Sequence, residues 1–561
     1  VSISKSTQRL ANRKVLAAAI GDCVHVAGIY NFLRLAEGEG YQAVFLGPAV
    51  STEKLVEAIR REKPDLVGLS YRLTPSAMER LLPELRAALD KEDLMGCRYF
   101  FGGTPPVVEV ARRTGWFEAC FDGTEGDTAV LDYLRGRRRG QEAVHYPGTL
   151  VERIRWRFPY PVIRHHFGLP SLERSIKEVA KLAESGELDV ISLAPDQNAQ
   201  ESFFRPQEMD RAQDGAGGIP VRSAGDFQAL YQASRRGNFP LLRSYSGTRD
   251  LLPMARMLKE TINLAWGAIP LTWYSVLDGR SGRTLQETIR EAQAVIRWHA
   301  EQGIPVEVNE AHQWSLRDAH DTVAVVTAFL AAYNAKRAGV RHYVAQYMFN
   351  NPPGTSPAMD LAKMLAKIEL VESLHDADFT SFRETRTGLA SLPADTLVAK
   401  GHLAASVLVQ MALKPHILHV VAHCEADHAA TAEEIIEAVK IARGAVRQGM
   451  LGLPVCIDHP SVLARKEELV SEARVLLEAI ASLAPPGVAV PWADPVTLER
   501  AVRVGLLDAP HLRNHPVARG QAVTRIVDGA CRAVDAFTGL PLKERDRVDL
   551  LLNQVLQAKC K

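Results

Sequence analysis

Short apolar runs alternate with amphipathic stretches along most of this chain. In the first part, strands are predicted at Val15–Ile20, Ala43–Leu46, Leu66–Leu69, Tyr99–Phe101 and Phe117–Phe121. Helical periodicity separates them at Tyr30–Glu39, Thr52–Glu62, Ala77–Leu89 and Val107–Arg113. Short buried strands alternating with amphipathic helices imply a parallel, doubly wound sheet. Its size fits a flavodoxin-like, Rossmann-like domain over residues 1–133.

The pattern breaks between residues 134 and 160, where Arg135, Arg137, Arg138, Arg139, Arg153, Arg155 and Arg157 gather among glycines and prolines. This reads as a basic, solvated linker, with a polyanion-binding patch as the alternative. From 161 to 561 the alternation resumes at longer period. Strands are predicted at Asp189–Leu193, Leu241–Tyr245, Leu271–Ser275, Val306–Glu310, His342–Gln346 and Phe379–Arg383, with weaker ones at Val455–Ile457 and Val488–Val490. Helices such as Leu285–Glu301 and Thr322–Arg337 follow them. Repeated strand–helix units over this length predict a TIM (β/α)8 barrel. The helix-rich stretch 403–447 is an insertion or a barrel helix pair, and the C-terminus an extension.

Composition narrows the function classes. A net charge of +1 gives no reason to expect nucleic acid or a membrane surface as partner. Seven scattered cysteines without a CxxC pair argue for reduced thiols and a cytoplasmic location. No apolar run is expected to span a membrane, and Val1–Lys14 lacks the apolar core of a signal peptide. A small-molecule substrate is expected, and a homodimer is possible.

Three features stand in order at predicted strand ends of the first domain. They are the loop Asp22-Cys23-Val24-His25-Val26-Ala27-Gly28, the segment Ser70-Tyr71-Arg72-Leu73, and the pair Gly102-Gly103. In open α/β sheets, ligands bind at this edge. The set resembles the DxHxxG, SxL, GG fingerprint of cobalamin-binding domains. That resemblance implies that His25 is the lower ligand of the cobalt. It further implies that Asp22, Gly28, Ser70, Leu73, Gly102 and Gly103 contact the cofactor. Two departures are present: Cys23 occupies the place of the family's aspartate, with Asp22 one residue further back, and the serine–leucine pair is one residue wider.

The second domain is similar to the catalytic subunit of glutamate mutase. Pro240-Leu241-Leu242, Ser246-Gly247-Thr248, Thr272-Trp273-Tyr274-Ser275-Val276, Gly505-Leu506-Leu507-Asp508-Ala509-Pro510 and Gly529-Ala530-Cys531-Arg532 carry this likeness in order. It implies a carbon-skeleton mutase that uses adenosylcobalamin, a cofactor whose upper face the barrel covers in that family. About 14 residues precede the first strand, so no helical cap of the methyl-carrier kind is expected. Where that family holds substrate carboxylates with three arginines, this chain has His166, Gln200 and Tyr245; its glutamate falls near Ala268, and Tyr274 is kept. The resemblance therefore implies a substrate other than glutamate. A cobalamin-dependent methyltransferase and a non-catalytic cobalamin sensor or carrier remain as alternatives.

Polar residues at the other strand ends complete the candidate set. Tyr274, Glu310 and Glu384 are the candidate catalytic residues. His166, Gln200, Arg243, Tyr245, His312 and Arg383 are the candidate substrate contacts. Asn309, Gln346 and Arg386 lie beside them. His416, His419, His423, Cys424, Glu425, Asp427 and His428 crowd one segment. Spacings of four can make a zinc site, but there is no HExxH or CxxC pattern, and a polar loop at the barrel mouth is the plainer reading.

Overall fold

A computed structural model describes residues 13–125, 127–134, 136, 146–452 and 456–559. The chain divides into two compact units, Val1–His145 and Tyr146–Lys561.

The first unit is a five-stranded parallel sheet: β1 (Lys14–Ala19), β2 (Gln42–Phe45), β3 (Leu66–Tyr71), β4 (Arg98–Gly103) and β5 (Ala119–Phe121). Their order is β2-β1-β3-β4-β5. Helices cover both faces, which explains why β1 and β3 are buried almost throughout rather than alternating. The helix Thr52–Glu62 lies where predicted, capped by the Ser51 side chain on the Lys54 amide. In this strand order the connections leave the sheet in opposite directions between β1 and β3. That divergence opens the crevice in which such sheets bind ligands.

The second unit is a nearly closed barrel of eight parallel strands. They are β6 (Val162–Phe167), β7 (Val190–Leu193), β8 (Leu241–Ser244), β9 (Gly267–Ile269), β10 (Val306–Val308), β11 (His342–Phe349), β12 (Thr380–Thr387) and β13 (Ile417–His419). Neighbours pair in the order β8-β7-β6-β13-β12-β11-β10-β9. At the seam the Ala265 amide donates to the Leu242 carbonyl at 2.9 Å. The α/β doubly wound domain followed by a parallel (β/α)8 barrel is therefore the architecture.

Several local expectations change. Leu271–Ser275 is no strand; it is a buried loop beyond β9. Val488–Val490 forms no strand, and Cys456–Asp458 is a single 3-10 turn, Val455 lying outside the described residues. Three barrel strands were not anticipated, among them β9, which lies ahead of the predicted Leu271–Ser275, and an antiparallel pair, Thr524–Val527 with Ala530–Ala533, was also unforeseen. β6 carries Arg164, His165 and His166, and β13 sits inside the helix-rich 403–447 stretch. Within residues 134–160, Leu150–Arg157 is a helix whose Leu150 and Ile154 pack beneath Val162, Val190, Leu241, Trp266, Val344 and Ile417 as the barrel floor. Arg153 is fully buried there, donating to Asp189 at 3.3 Å and to the Phe239 carbonyl at 2.9 Å. Arg135 and Arg137–Arg139 lie outside the described residues. One window, Thr396–Leu413, is long and apolar enough to cross a membrane, contrary to expectation. It packs in the helical ring of the barrel against Ala432–Met450, and its Ser406 and Gln410 hydrogen-bond to β12.

Candidate functional site

In the first unit the three expected features do converge on the carboxyl ends of β1, β3 and β4. Ser70 is paired in register with Ala19 on one side and Gly102 on the other, and Tyr71 with Gly103. A side chain at Gly103 would place its Cβ 2.5 Å from the Tyr71 carbonyl oxygen, so only glycine fits. At Gly102 the nearest atom would be 4.0 Å away, and at Gly28 there is open space. Ser70, in register between Ala19 and Gly102, is 4% exposed. Its hydroxyl has no hydrogen-bond partner among the described residues. Leu73 is exposed at 38%.

The loop after β1 settles the question raised by Cys23. Gly21 turns the chain at φ +64°. Asp22 does not support His25. Its Oδ1 accepts a hydrogen bond from the Tyr71 hydroxyl at 3.0 Å, tying the loop to the end of β3. Cys23 is buried, its carbonyl accepts from the Ala49 amide at 2.9 Å, and its Sγ lies 4.0 Å from His25 Nδ1. The histidine ring is exposed, with Nδ1 toward the thiol, leaving Nε2 for a ligand. An exposed imidazole at the same sheet edge as a buried serine and a pair of glycines fits the lower-ligand and tail contacts of a cobalamin.

The barrel interior is unlike this open edge. Above its apolar floor lies a layer of charge: Arg164, Arg243, Glu307 and Glu384, none more than 1% exposed. Arg243 Nη2 meets Glu307 Oε2 at 2.8 Å, Trp266 Nε1 donates to the same oxygen at 2.9 Å, and Gln346 Nε2 to Oε1 at 3.1 Å. Arg164 Nη1 is 3.2 Å from Glu384 and 3.6 Å from Glu307. Both guanidinium groups also lie against the Trp266 ring, at 5.5 and 5.1 Å. Burial opposes the charge on Glu307, but Arg243 and Arg164 outweigh it and hold this carboxyl below its usual range. Burial and the charge of Glu307 push Glu384 up to about 7 against the pull of Arg164. The two carboxyls of one layer thereby differ: Glu307 stays charged, whereas Glu384 titrates near neutrality.

The next layer toward the mouth is aromatic and imidazole. Arg164 Nη2 reaches His166 Nε2 at 2.9 Å and His419 Nδ1 at 3.0 Å. A guanidinium only donates, so both ring nitrogens are acceptors, and His166 carries its proton on Nδ1. That Nδ1 is buried without a partner. Tyr245 stacks on His166 at 5.1 Å and also reaches Nε2, at 3.1 Å. Burial and then Arg164 keep both histidines well below their usual pKa; burial and then Arg386 bring His312 to about 3. Arg386 lies two residues beyond Glu384 on β12, in register with His419. Its one polar contact is a 3.4 Å bond to the Thr387 carbonyl, and it has no counter-charge within ion-pair distance among the described residues.

Some candidates stand elsewhere. Arg383 lies on the opposite face of β12, held outside the barrel by Glu372 at 2.8 Å and the Leu413 carbonyl at 2.9 Å, so it does not line the mouth. Glu310 is spent as an anchor. It accepts from the Leu271 and Thr272 amides at 3.3 and 3.1 Å, from the Thr272 hydroxyl, and from Trp314 Nε1 at 2.8 Å. Gln200 donates to the Pro195 carbonyl at 2.7 Å. Tyr274 is 5% exposed at φ +61°, and burial followed by Tyr245 raises its phenol to about 12. Arg164, Glu307, Trp266 and His419 were missed as site residues. The signal was there in part: Arg164 and Arg243 each stand two positions before a candidate, His166 and Tyr245, and so share its face.

Comparison with known proteins bears on the first unit. Residues 13–131 match the model of the B12 binding domain family. A cobalamin-binding protein from Desulfitobacterium hafniense DCB-2 is 25% identical over 23% of this chain, with a TM-score of 0.20. The chain spans 58% of that protein's length. The cobalamin-dependent S-adenosylmethionine radical enzyme OxsB aligns at 10% identity in two structures. The apo form covers 79% of this chain and 57% of its own, and the form with aqua-cobalamin and S-adenosylmethionine covers 98% and 80%; both have a TM-score of 0.18. No curated protein matches the sequence. Residues 13–131 thus form a cobalamin-binding domain, fused to a parallel (β/α)8 barrel.

Proposed function

We propose that this chain is an adenosylcobalamin-dependent carbon-skeleton mutase, related in design to glutamate mutase, acting on a substrate with a single carboxylate. Arg386 carries this reading. The arginines deeper in the barrel are compensated by Glu307 and Glu384. Among the described residues Arg386 has no ion-pair partner, only longer-range attraction to Glu425 and Glu384, and it lies among histidines kept neutral. One carboxylate of a substrate would balance it, bidentate on the guanidinium. A dicarboxylate would leave one charge without a partner.

The cofactor, when bound through His25, would supply a carbon-centred radical by homolysis of its cobalt–carbon bond. The chain's own residues would do the rest. Arg386 would orient the substrate, and His166 would donate from its unpartnered Nδ1. Tyr245 and Tyr274 would form an apolar wall with polar edges. Glu384, ionised opposite Arg164 and poised near neutrality, could take up or release one proton. Unpaired thiols at Cys23, Cys97, Cys120, Cys424 and Cys531 support a reducing, cytoplasmic setting.

The test uses the full chain loaded with adenosylcobalamin under anaerobic conditions and a panel of mono- and dicarboxylic acids. A cob(II)alamin–radical pair with a monocarboxylate is expected. Arg386→Met should raise KM about tenfold or more while leaving cobalamin binding intact. His25→Ala should remove the histidine-nitrogen coupling from the cob(II)alamin spectrum. Stable methylcobalt formed from a methyl donor, with no radical pair, would replace this reading with a methyltransferase. Cofactor binding with no turnover across the panel would replace it with a sensor.

A further inference from the structure

The loop joining β13 to the helix Ala432–Met450 gathers a cysteine, a histidine and a glutamate that the proposed chemistry does not use. One ligand atom each from Cys424, His428 and Glu434 lies within 4.8 Å of the other two. Backbone hydrogen bonds from the Asp427 and His428 amides to the Cys424 carbonyl, at 2.9 and 3.0 Å, curl the loop so that 424 and 428 share a side. Glu434 reaches the same point from the first turn of the helix.

Two of the three ligands are already oriented by a further group. His428 Nδ1 is paired with Asp427 Oδ2 at 2.9 Å, which turns Nε2 toward Glu434 Oε1 at 2.8 Å. Glu434 Oε2 is fixed by the Thr431 amide and hydroxyl, each at 2.8 Å, leaving Oε1 for the cluster. A carboxylate behind a histidine is the usual support of a metal-bound imidazole. Cys424 is 7% exposed, a thiol sheltered from solvent. The adjoining His423 is 5% exposed, and its Nδ1 has no hydrogen-bond partner. A spacing within 4.8 Å needs a modest contraction to the roughly 3.3–3.8 Å between ligands of a tetrahedral zinc.

We propose that Cys424, His428 and Glu434 bind one zinc-class divalent ion, with a fourth position open to water. Thiolate, carboxylate and neutral imidazole together balance a 2+ charge. The thiolate favours zinc over magnesium or calcium, which prefer oxygen ligands. Binding releases the thiol proton, together with any proton held by the imidazole between Asp427 and Glu434. The ion would pin the loop that also carries Glu425, whose Oε1 lies 2.8 Å from His165 Nε2 at the barrel mouth. This site stands independently of the cobalamin reading.

The test titrates Co(II) into the cobalamin-free full chain and follows the thiolate-to-metal charge-transfer band. One equivalent should develop the band, and Zn(II) should displace it. Cys424→Ala should abolish the band, and His428→Ala should weaken binding at least tenfold; because His428 is half-exposed, that variant should fold even if the cysteine variant does not. Asp427→Asn should weaken binding about tenfold, as loss of an orienting carboxylate does. Absence of a thiolate band, or a band that survives both the Cys424 and His428 variants, would overturn the proposal.

Discussion

The sheet edge of the first unit and the interior of the barrel prepare for their ligands by opposite means. The edge works by exposure: an open imidazole and paired glycine backbone stand at the ends of strands with an apolar core, and that core does not depend on the imidazole. The barrel works by balance, with four buried charges each necessary to the others. At His25, binding can therefore be removed at little cost in folding. In the barrel, function and stability cannot be separated, because an uncompensated buried charge is expensive.

The largest effect should break the balance. Arg164→Met leaves Glu384 without its ion-pair partner and the two histidines without their common donor, and should cost about 3–5 kcal/mol in urea unfolding of the second unit. Adding Glu384→Gln should recover part of that loss; no recovery would mean that the layer is not one electrostatic unit. Next, Gly103→Ala forces a Cβ against the Tyr71 carbonyl and should cost about 1–3 kcal/mol. Cobalamin binding should fall with it, whereas His25→Ala, on an exposed ring, should alter stability by less than about 0.5 kcal/mol. A large loss of stability with His25→Ala would erase the contrast.

Acid–base behaviour sharpens the comparison further. The native pKa of Glu384 stands above its unfolded value, so its contribution is fully present below about pH 4.5 and is lost as pH rises through about 7. Unfolding midpoints of the wild type, measured against Glu384→Gln over that window, should converge and then cross as pH rises. The smallest effect belongs to the loop after β1. Tyr71→Phe removes the bond to Asp22 and should cost about 1 kcal/mol, with a looser His25 loop seen as faster amide exchange.

The sheet domain was legible because its strands are uniformly apolar and its ligand loops fall at their ends. The barrel was legible only in part, for the same physical reason that makes it a site. β6 carries three polar residues in six, a pattern that does not read as a buried strand until partners from β8, β10, β12 and β13 neutralise it. β13 has three residues and lies amid histidines. Leu271–Ser275 looked like a strand because it is apolar, but Glu310 buries it as a loop. Strict alternation along β12 would have chosen Arg386 over Arg383, since Glu384 fixes which face is inside.

The two hydrogen bonds from Arg164 Nη2 carry a consequence for descent. One guanidinium dictates the tautomer of a ring on β6 and of another on β13, so positions 164, 166 and 419 are inherited as a single character. A lineage that replaced the arginine would strand two acceptors in the core at once, and homologous chains should therefore keep or exchange all three together.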